Sequence, residues 1–264
     1  MIKLIASDMD GTLVNDEGKI NEKVFGLINH LQEKNIRFAA ASGRFYSQLS
    51  RNFKRIKTSM IFISHNGALV KYNNKGETLY SSCISPEDIE HVATLKRDFG
   101  EELFLGAAED AYIVDPSEII LEEFKFVEVP WVIVKAFKEV KCPIYRMTYY
   151  IKNGVKQETV EYLKNNLNES LEFVVSGDKW IDIINKGTSK GKAIKILQEK
   201  FGIDENNTMV FGDYYNDLSM FKAAYYSYAM ENAPEDVKEH ANFIAENNNN
   251  NGVYNVINKY AASI

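Results

Sequence analysis

Apolar and polar positions along the first eighty residues follow two periods in turn. Ile2–Ser7 is a short apolar run that ends in two carboxylates, Asp8 and Asp10, with Gly11-Thr12-Leu13 directly behind. An apolar run of that length, bounded by a turn signal, predicts a buried strand. Asn21 then precedes Val24, Leu27, Ile28 and Leu31, which recur at helical spacing behind a capping side chain, and Ile36–Ala41 predicts the next strand. A helix over Tyr46–Arg55, a strand over Met60–Ser64 and a hairpin turning at Asn73-Asn74-Lys75-Gly76 follow. Strand, helix, strand, helix, strand implies a parallel sheet, whose ligands bind outside the carboxyl ends of its strands.

The pattern changes near Ser82. Ser85-Pro86-Glu87-Asp88 is a helix start, and from there to about Ile184 helices mix with two-periodic strands rich in Tyr, Phe and Val, such as Ile144–Ile151. From Gly187 the earlier pattern resumes, with a helix over Ser189–Phe201 and a buried strand over Thr208–Phe211. The expected organisation is an α/β core of residues 1–83 and 186–264, interrupted by an inserted α+β domain at 84–185. Five consecutive asparagines, Asn247–Asn251, read as a solvated turn before Gly252, with a polar ligand contact as the alternative.

Composition narrows the function classes. A chain of 264 residues is long enough for two cores, and its net charge of −6 gives a nucleic-acid partner no electrostatic support. An acidic protein repels phosphates at long range, so any phosphate site must recruit a metal or local Lys and Arg. The two cysteines, Cys83 and Cys142, make no paired spacing, which argues against a disulfide framework or a Cys-rich zinc site and fits a reducing, cytoplasmic setting. Lys3 and Asp8 break the first apolar run too early for a signal peptide, and no window has the uncharged length of a membrane span. The expectation is a soluble protein with no membrane partner. His30, His65, His91 and His240 form no metal spacing.

Chemistry-bearing residues recur at strand ends. In an extended strand residues i and i+2 face one side, so Asp8 and Asp10 emerge together, roughly 6–7 Å apart. Asp-x-Asp-Gly also occurs in calcium loops, but with Gly11 at the sixth position the first ligand position holds Ala6, and a strand stands where the entering helix belongs. Ser42-Gly43-Arg44 ends the second strand, where a hydroxyl and backbone N–H groups can hold phosphate oxygens, although a Ser-Gly pair alone is an ordinary turn. Lys190 sits in the first turn of its predicted helix, where the helix dipole disfavours a cation; either an anion awaits it or it snorkels to the surface. Gly212-Asp213-Tyr214-Tyr215-Asn216-Asp217 adds two carboxylates at another strand end. Together they suggest a Mg²⁺ cage of hard oxygen ligands.

In order and spacing, Asp8-Met9-Asp10-Gly11-Thr12-Leu13, Ser42-Gly43-Arg44, Asn66-Gly67-Ala68, Lys190-Gly191 and Gly212-Asp213 through Asn216-Asp217 resemble the haloacid dehalogenase superfamily. Within it they are similar to the Cof-type phosphatases with a large α/β cap. Asn232-Ala233-Pro234 and Asn251-Gly252-Val253 match the same subfamily, whereas Ala223-Ala224-Tyr225-Tyr226-Ser227 departs from its smaller, glycine-bearing residues. The resemblance implies a Rossmann-like parallel-sheet core with the cap inserted at 84–185 as the substrate-specificity domain. It implies a Mg²⁺-dependent phosphatase of small phosphorylated metabolites, sugar phosphates ahead of pyridoxal phosphate or flavin mononucleotide, and leaves the oligomeric state open.

The resemblance also assigns roles. Asp8 is the nucleophile and forms an aspartyl-phosphate; Asp10 is the general acid and base. Mg²⁺ is held by Asp8, the backbone carbonyl of Asp10, and Asp213, with Asp217 in support. Ser42, Gly43 and Lys190 bind phosphate, Asn216 supports the metal or Lys190, and Arg44, Asn66 and Asn216 line the substrate. A sugar phosphomutase on the same core and a non-catalytic phosphometabolite sensor are the alternatives. Tyr145, Tyr149 and Tyr150 with Arg146 in the cap read as sheet packing, with substrate contact as the other reading.

Overall fold

A computed structural model describes residues 1–95 and 100–263; positions 96–99 of the expected cap and Ile264 of the expected core lie outside them. Two compact units emerge, one of Met1–Arg44, Leu49–Tyr80 and Ser189–Ile264, the other of Phe45–Gln48 and Ser81–Thr188. In chain order the first elements are β1 (Leu4–Asp8), α1 (Glu22–Glu33), β2 (Arg37–Ala41), α2 (Tyr46–Asn52), β3 (Ile61–Ser64), β4 (Leu69–Tyr72) and β5 (Thr78–Ser81). The middle of the chain forms α3 (Pro86–Thr94), β6 (Glu101–Gly106), β7 (Ala111–Val114), α4 (Glu118–Phe126), β8 (Trp131–Val134), β9 (Arg146–Ile151), α5 (Gln157–Asn166), β10 (Leu171–Val175) and β11 (Trp180–Asn185). The rest forms α6 (Lys190–Phe201), β12 (Thr208–Gly212), α7 (Leu218–Phe221), β13 (Tyr226–Met230), α8 (Glu235–Lys238), β14 (Phe243–Ala245) and α9 (Gly252–Ala261).

The first unit is an eight-stranded sheet in the order β14-β13-β12-β1-β2-β3-β4-β5. From β14 to β3 neighbouring strands are parallel, and β4 turns back antiparallel on β3. This is the parallel sheet that the strand–helix alternation predicts and the Rossmann-like core that the resemblance implies. Its central strands read as continuous apolar runs because both faces are covered. Leu4, Ala6, Ala39, Ile61, Ile63 and Val210 bury one face against Ile194 and Leu197 of α6 and Met220 of α7. On another side Phe53 packs 6.2 Å from Phe25 and 5.8 Å from Phe62, measured between ring centroids.

Local signals act where they were read. The Asn21 side chain accepts from the Lys23 N–H at the start of α1, and Val24, Leu27, Ile28 and Leu31 are its buried stripe. Asn74 and Lys75 both take left-handed backbone, with φ of 55° and 57°, which turns the β4–β5 hairpin. Helix α2 stops at Asn52 rather than Arg55. The apolar spacing continues through Phe53 and Ile56, but both are buried by tertiary packing after the helix has ended. The unusual Tyr225 and Tyr226 do not crowd the core. Tyr225 is half exposed, and Tyr226 stacks on Phe243 of the edge strand β14.

The second unit holds a six-stranded sheet, β10-β11-β9-β6-β7-β8, antiparallel except between β7 and β8. Ser85 caps α3 by accepting from the Asp88 N–H at 3.0 Å. Alternation along β9 sends Met147, Tyr149 and Ile151 into one apolar cluster with Val92 and Leu163, and Tyr150 into another with Phe104 and Phe124. The Tyr149 hydroxyl donates to the Val92 carbonyl and the Tyr150 hydroxyl to Glu123, both at 3.2 Å, so these tyrosines pack the sheet. Among the described residues no helix is long and apolar enough to cross a membrane.

Helices α6 and α7 meet at Gly191, where an added Cβ would overlap the carbonyl oxygen of Ser219. Gly191→Ala therefore forces the two helices apart and is expected to cost about 1–3 kcal/mol, the usual range for overpacking. Urea denaturation measures it, and an unchanged midpoint would contradict this account of the contact.

Candidate active site

The parallel register fixes where the site lies. Asp8 stands opposite Ala41 and Ser7 opposite Phe211, so Asp8, Ser42 and Gly212-Asp213 leave the sheet at the same carboxyl-terminal edge. Helix α6 begins there too, with Ser189 capping it by accepting from the Lys192 N–H at 3.1 Å. Lys190 in its first turn is fully buried, and its ammonium donates to Asp8 Oδ1 and, at 2.7 Å, to Asp217 Oδ1. The anion that a lysine at this helix end calls for is thus a pair of carboxylates.

Asp217 is satisfied on both oxygens. Its Oδ2 accepts the backbone N–H groups of Asp213 at 3.0 Å and Tyr214 at 3.2 Å, which closes the turn after β12. Thr12 Oγ1 donates to Asp213 Oδ1 at 2.7 Å and orients that carboxylate. Gly11 takes φ of +76°, and a Cβ there would overlap the Asp213 carboxylate, so this position needs glycine on both counts. Oxygens of Asp8, Asp213 and Asp217 all lie within 4.8 Å of one another.

Charge within this group does not balance. Burial, with Asp217 and Asp213 adding repulsion, pushes the Asp8 carboxyl well above its ordinary value despite the opposing pull of Lys190. Burial pushes Asp213 up to about 6, against the Thr12 hydrogen bond and with help from Asp217. For Lys190 burial acts the other way, but Asp217 and then Asp8 outweigh it and hold the ammonium charged above its ordinary pKa. When all three carboxylates are ionised they share one lysine, and two negative charges are left over. Hard oxygen donors with a deficit of two positive charges fit a small divalent cation.

The remaining expected residues spread around this group. Asp10 is not in it: its side chain is 61% exposed and takes a fork from Arg44, with Nε at 2.9 Å and Nη2 at 2.5 Å. Arg44 also donates to Asn52 at 3.0 Å, so its guanidinium bridges Asp10 and Asn52. Ser42 is buried, its hydroxyl accepting from the Arg44 N–H at 3.1 Å. Asn216 donates to Asn66 at 3.3 Å, and the Asn66 amide lies beside Gly43. Those two amides therefore meet over the Ser42-Gly43 turn.

Thr12 had no assigned role in the sequence reading; its only signal is a hydroxyl one residue past a tight turn. The asparagine run is the expected turn, with Asn249, Asn250 and Asn251 exposed, except at one position. Asn248 is buried, because its amide donates to the Val14 carbonyl at 3.0 Å and to Asp16 at 3.1 Å across 234 and 232 positions. Asn232 likewise donates to the Gly11 carbonyl at 2.8 Å. No local pattern announces partners so distant.

A parallel α/β sheet carrying carboxylates around a single buried lysine at its carboxyl edge defines an enzyme of the phosphoryl-transfer kind. A family model for haloacid dehalogenase-like hydrolases matches residues 5–257, and the chain belongs to that family, as a phosphoric monoester hydrolase. The Cof-type resemblance read from the motifs stands with this match. The 5-amino-6-(5-phospho-D-ribitylamino)uracil phosphatase YbjI of Escherichia coli is 29% identical over 98% of this chain and 96% of its own. Among solved structures, SMU.1108c of Streptococcus mutans is 32% identical, with a TM-score of 0.85 over 99% of this chain and 100% of that one. The sugar phosphatase BT4131, of subclass IIB, is 26% identical with a TM-score of 0.78 over 98% of each chain.

Lys190→Met leaves Asp8 and Asp217 buried without their cation. The expected loss is about 3–5 kcal/mol at neutral pH, typical of breaking a buried ion pair from one side. Without the ammonium the Asp8 carboxyl, already raised by burial, holds its proton to still higher pH, so the deficit shrinks as pH falls and that carboxyl becomes neutral. Thermal unfolding of metal-free protein across pH 5–8 checks it; a deficit that grows toward acid would contradict the charge assignment.

Proposed function

We propose that this hydrolase cleaves primary phosphate monoesters of sugars or polyols, with Asp8 as nucleophile, Asp10 as general acid and base, and Mg²⁺ as cofactor. The observation that carries the reading is the buried Asp8 carboxylate beside Lys190, within a carboxylate group two positive charges short of balance. A permanent oxygen nucleophile on a strand end, with a charge deficit that a dication fills, suits attack on an anionic phosphorus. A binding protein for phosphate has no use for that excess of negative charge. The substrate class draws on two relatives whose names specify a phosphorylated ribityl compound and sugar phosphates. What those substrates share is a phosphate ester on a polyhydroxylated carbon chain.

Bound at Asp8, Asp213 and the Asp10 carbonyl, Mg²⁺ would neutralise negative charge where carboxylate and phosphate must approach. The chain's own residues do the rest. Asp8 Oδ attacks phosphorus, the bond to the ester oxygen breaks, and the leaving alkoxide takes a proton from Asp10. Water then attacks the aspartyl-phosphate, Asp10 takes its proton, and free Asp8 and inorganic phosphate result. Lys190 keeps Asp8 oriented by the hydrogen bond it donates and offers positive charge to phosphate oxygens, with Ser42 and Gly43 on the neighbouring strand end. Asp217 anchors Lys190 and the turn that carries Asp213.

Phosphate release from a panel of sugar and polyol phosphates tests the reaction directly: release requires Mg²⁺ and disappears in Asp8→Asn. Isomerised ester with little free phosphate would instead mark a phosphomutase, and undiminished turnover after thorough chelation would remove the metal from the account.

The pH dependence follows from Asp213. A carboxyl that titrates near 6 in the folded protein, above its ordinary 3.8, contributes stability at low pH that is lost as pH rises through about 6. Metal must displace that proton, so Mg²⁺ affinity measured by calorimetry should weaken as pH drops below about 6, and proton release should accompany binding. Affinity independent of pH between 5 and 7 would count against Asp213 as a ligand.

A further inference from the structure

Asp10 rides on a loop that cannot define its own conformation. After β1 the chain passes Gly11 in left-handed backbone, and the N–H groups of Thr12, Leu13 and Val14 all converge on one carbonyl, that of Met9, at 3.3, 3.0 and 2.8 Å. Isolated bridges join Val14 to Asp10 and to Ile20, Asn15 pairs with Lys19 beyond them, and Thr12 is tied to Asp213, but none of these bonds holds the carbonyls of Gly11 and Val14. Glycine at the pivot and one shared acceptor leave much freedom in the direction of Asp10. Its carboxylate is mostly exposed and gripped only from beyond, by Arg44, so the backbone decides where it points.

That freedom is removed from the far end of the chain. Asn232 Nδ2 donates to the Gly11 carbonyl at 2.8 Å, and Asn232 Oδ1 accepts the Asn248 N–H at 3.2 Å. Asn248 Nδ2 donates to the Val14 carbonyl at 3.0 Å and to Asp16 Oδ1 at 3.1 Å. Asn249 closes a reciprocal pair with Asp16, accepting its N–H at 3.1 Å and donating to its Oδ2 at 2.9 Å. Three amide side chains thus hold the loop at Gly11, Val14 and Asp16, on both sides of the turn that follows Asp10. Asn248 is buried, so its donors have no water to fall back on.

We propose that Asn232, Asn248 and Asn249 form a clasp that positions the Gly11–Asp16 loop, and through it Asp10, for proton transfer to the leaving group. They are positioning residues and touch no substrate. The inference rests on Asp10 being the acid, as in the function proposed above, and it predicts a defect that depends on the leaving group. A misplaced acid hurts an alkyl phosphate, whose alkoxide needs the proton, far more than p-nitrophenyl phosphate, whose phenolate leaves without one. A contact that merely stabilises the fold would affect both esters alike.

The experiment compares kcat/KM on ribose 5-phosphate and p-nitrophenyl phosphate, with Mg²⁺ present, for the wild type, Asn232→Ala, Asn248→Ala, Asp16→Ala and Asp10→Ala. The ratio of the two values reports ester cleavage, the step in which the acid acts. In Asn232→Ala and Asn248→Ala the ratio should fall about 10-fold, part of the roughly 10²–10⁴-fold worth of a general acid. Asp10→Ala should show the larger fall. Asp16→Ala alters only an exposed side chain, keeps the fold if Asn248→Ala does not, and should shift the ratio the same way by less. Amide exchange at Leu13 and Val14 should quicken in the clasp variants while that of β1 does not. Equal losses on both esters, or an unchanged ratio in folded variants, would overturn the clasp. A wild type inactive on every ester would overturn the phosphatase reading. An Asp10→Ala deficit blind to the leaving group would overturn the acid assignment, and the clasp's role with it.

Discussion

One buried cation organises the carboxylate group at the sheet's carboxyl edge. Lys190 places its ammonium between Asp8 and Asp217 with no exposure to water, so neither acid can be desolvated without it. Taking an ammonium and two carboxylates out of water is expensive, and the cost is met only because every one of them is hydrogen-bonded. Its satisfied geometry ties three strand and helix ends together: β1 through Asp8, the turn after β12 through Asp217, and α6 through the lysine itself. Asp217 then hands order on to Asp213 by holding its backbone N–H. In the proposed function, the residual charge of the ionised group, two negative, is what would make it receptive to a dication and, through that, to phosphate.

The fold serves this arrangement by bringing distant segments to one edge. Parallel strands present the same end of each to the same side, so residues 8, 42 and 213 meet although they are far apart in sequence. Close approach then demands small residues. Gly11 lets the chain after β1 bend against the Asp213 carboxylate, and Gly191 lets α6 seat against α7 so that Lys190 reaches inward. Order at the centre also depends on bonds from outside it, from Thr12 to Asp213 and from Asn232 and Asn248 to the loop beyond Asp10.

The sheet, the helix starts at Asn21 and Ser85, and three members of the acidic group, Asp8, Asp213 and Asp217, were legible because each depends on local signals: an apolar run, a capping side chain, a motif at a strand end; the Asp10 side chain, expected beside Asp8, lies outside the group. Lys190 was legible for a different reason, as a cation placed against the helix dipole. What escaped depends on tertiary partners that no local window contains, some of them hundreds of positions away. Asn248 looks like a turn residue by composition, and only the loop at Val14 and Asp16 gives it a buried role. The fork from Arg44 to Asp10 spans 34 positions and has no local signal either. The end of α2 was missed because Phe53 and Ile56 keep a helical spacing while packing as turn residues.

In the proposed reaction the carboxylate held by Lys190 is the group that receives phosphate. Rapid acid quenching during turnover of a radiolabelled sugar phosphate, followed by peptide mapping, tests it directly. The account predicts an acid-stable, alkali-labile label on the peptide containing Asp8, absent when Asp8→Asn replaces the wild type. Label on another residue, or phosphate passing to water with no labelled protein at any quench time under conditions where intermediate hydrolysis is rate-limiting, would contradict it.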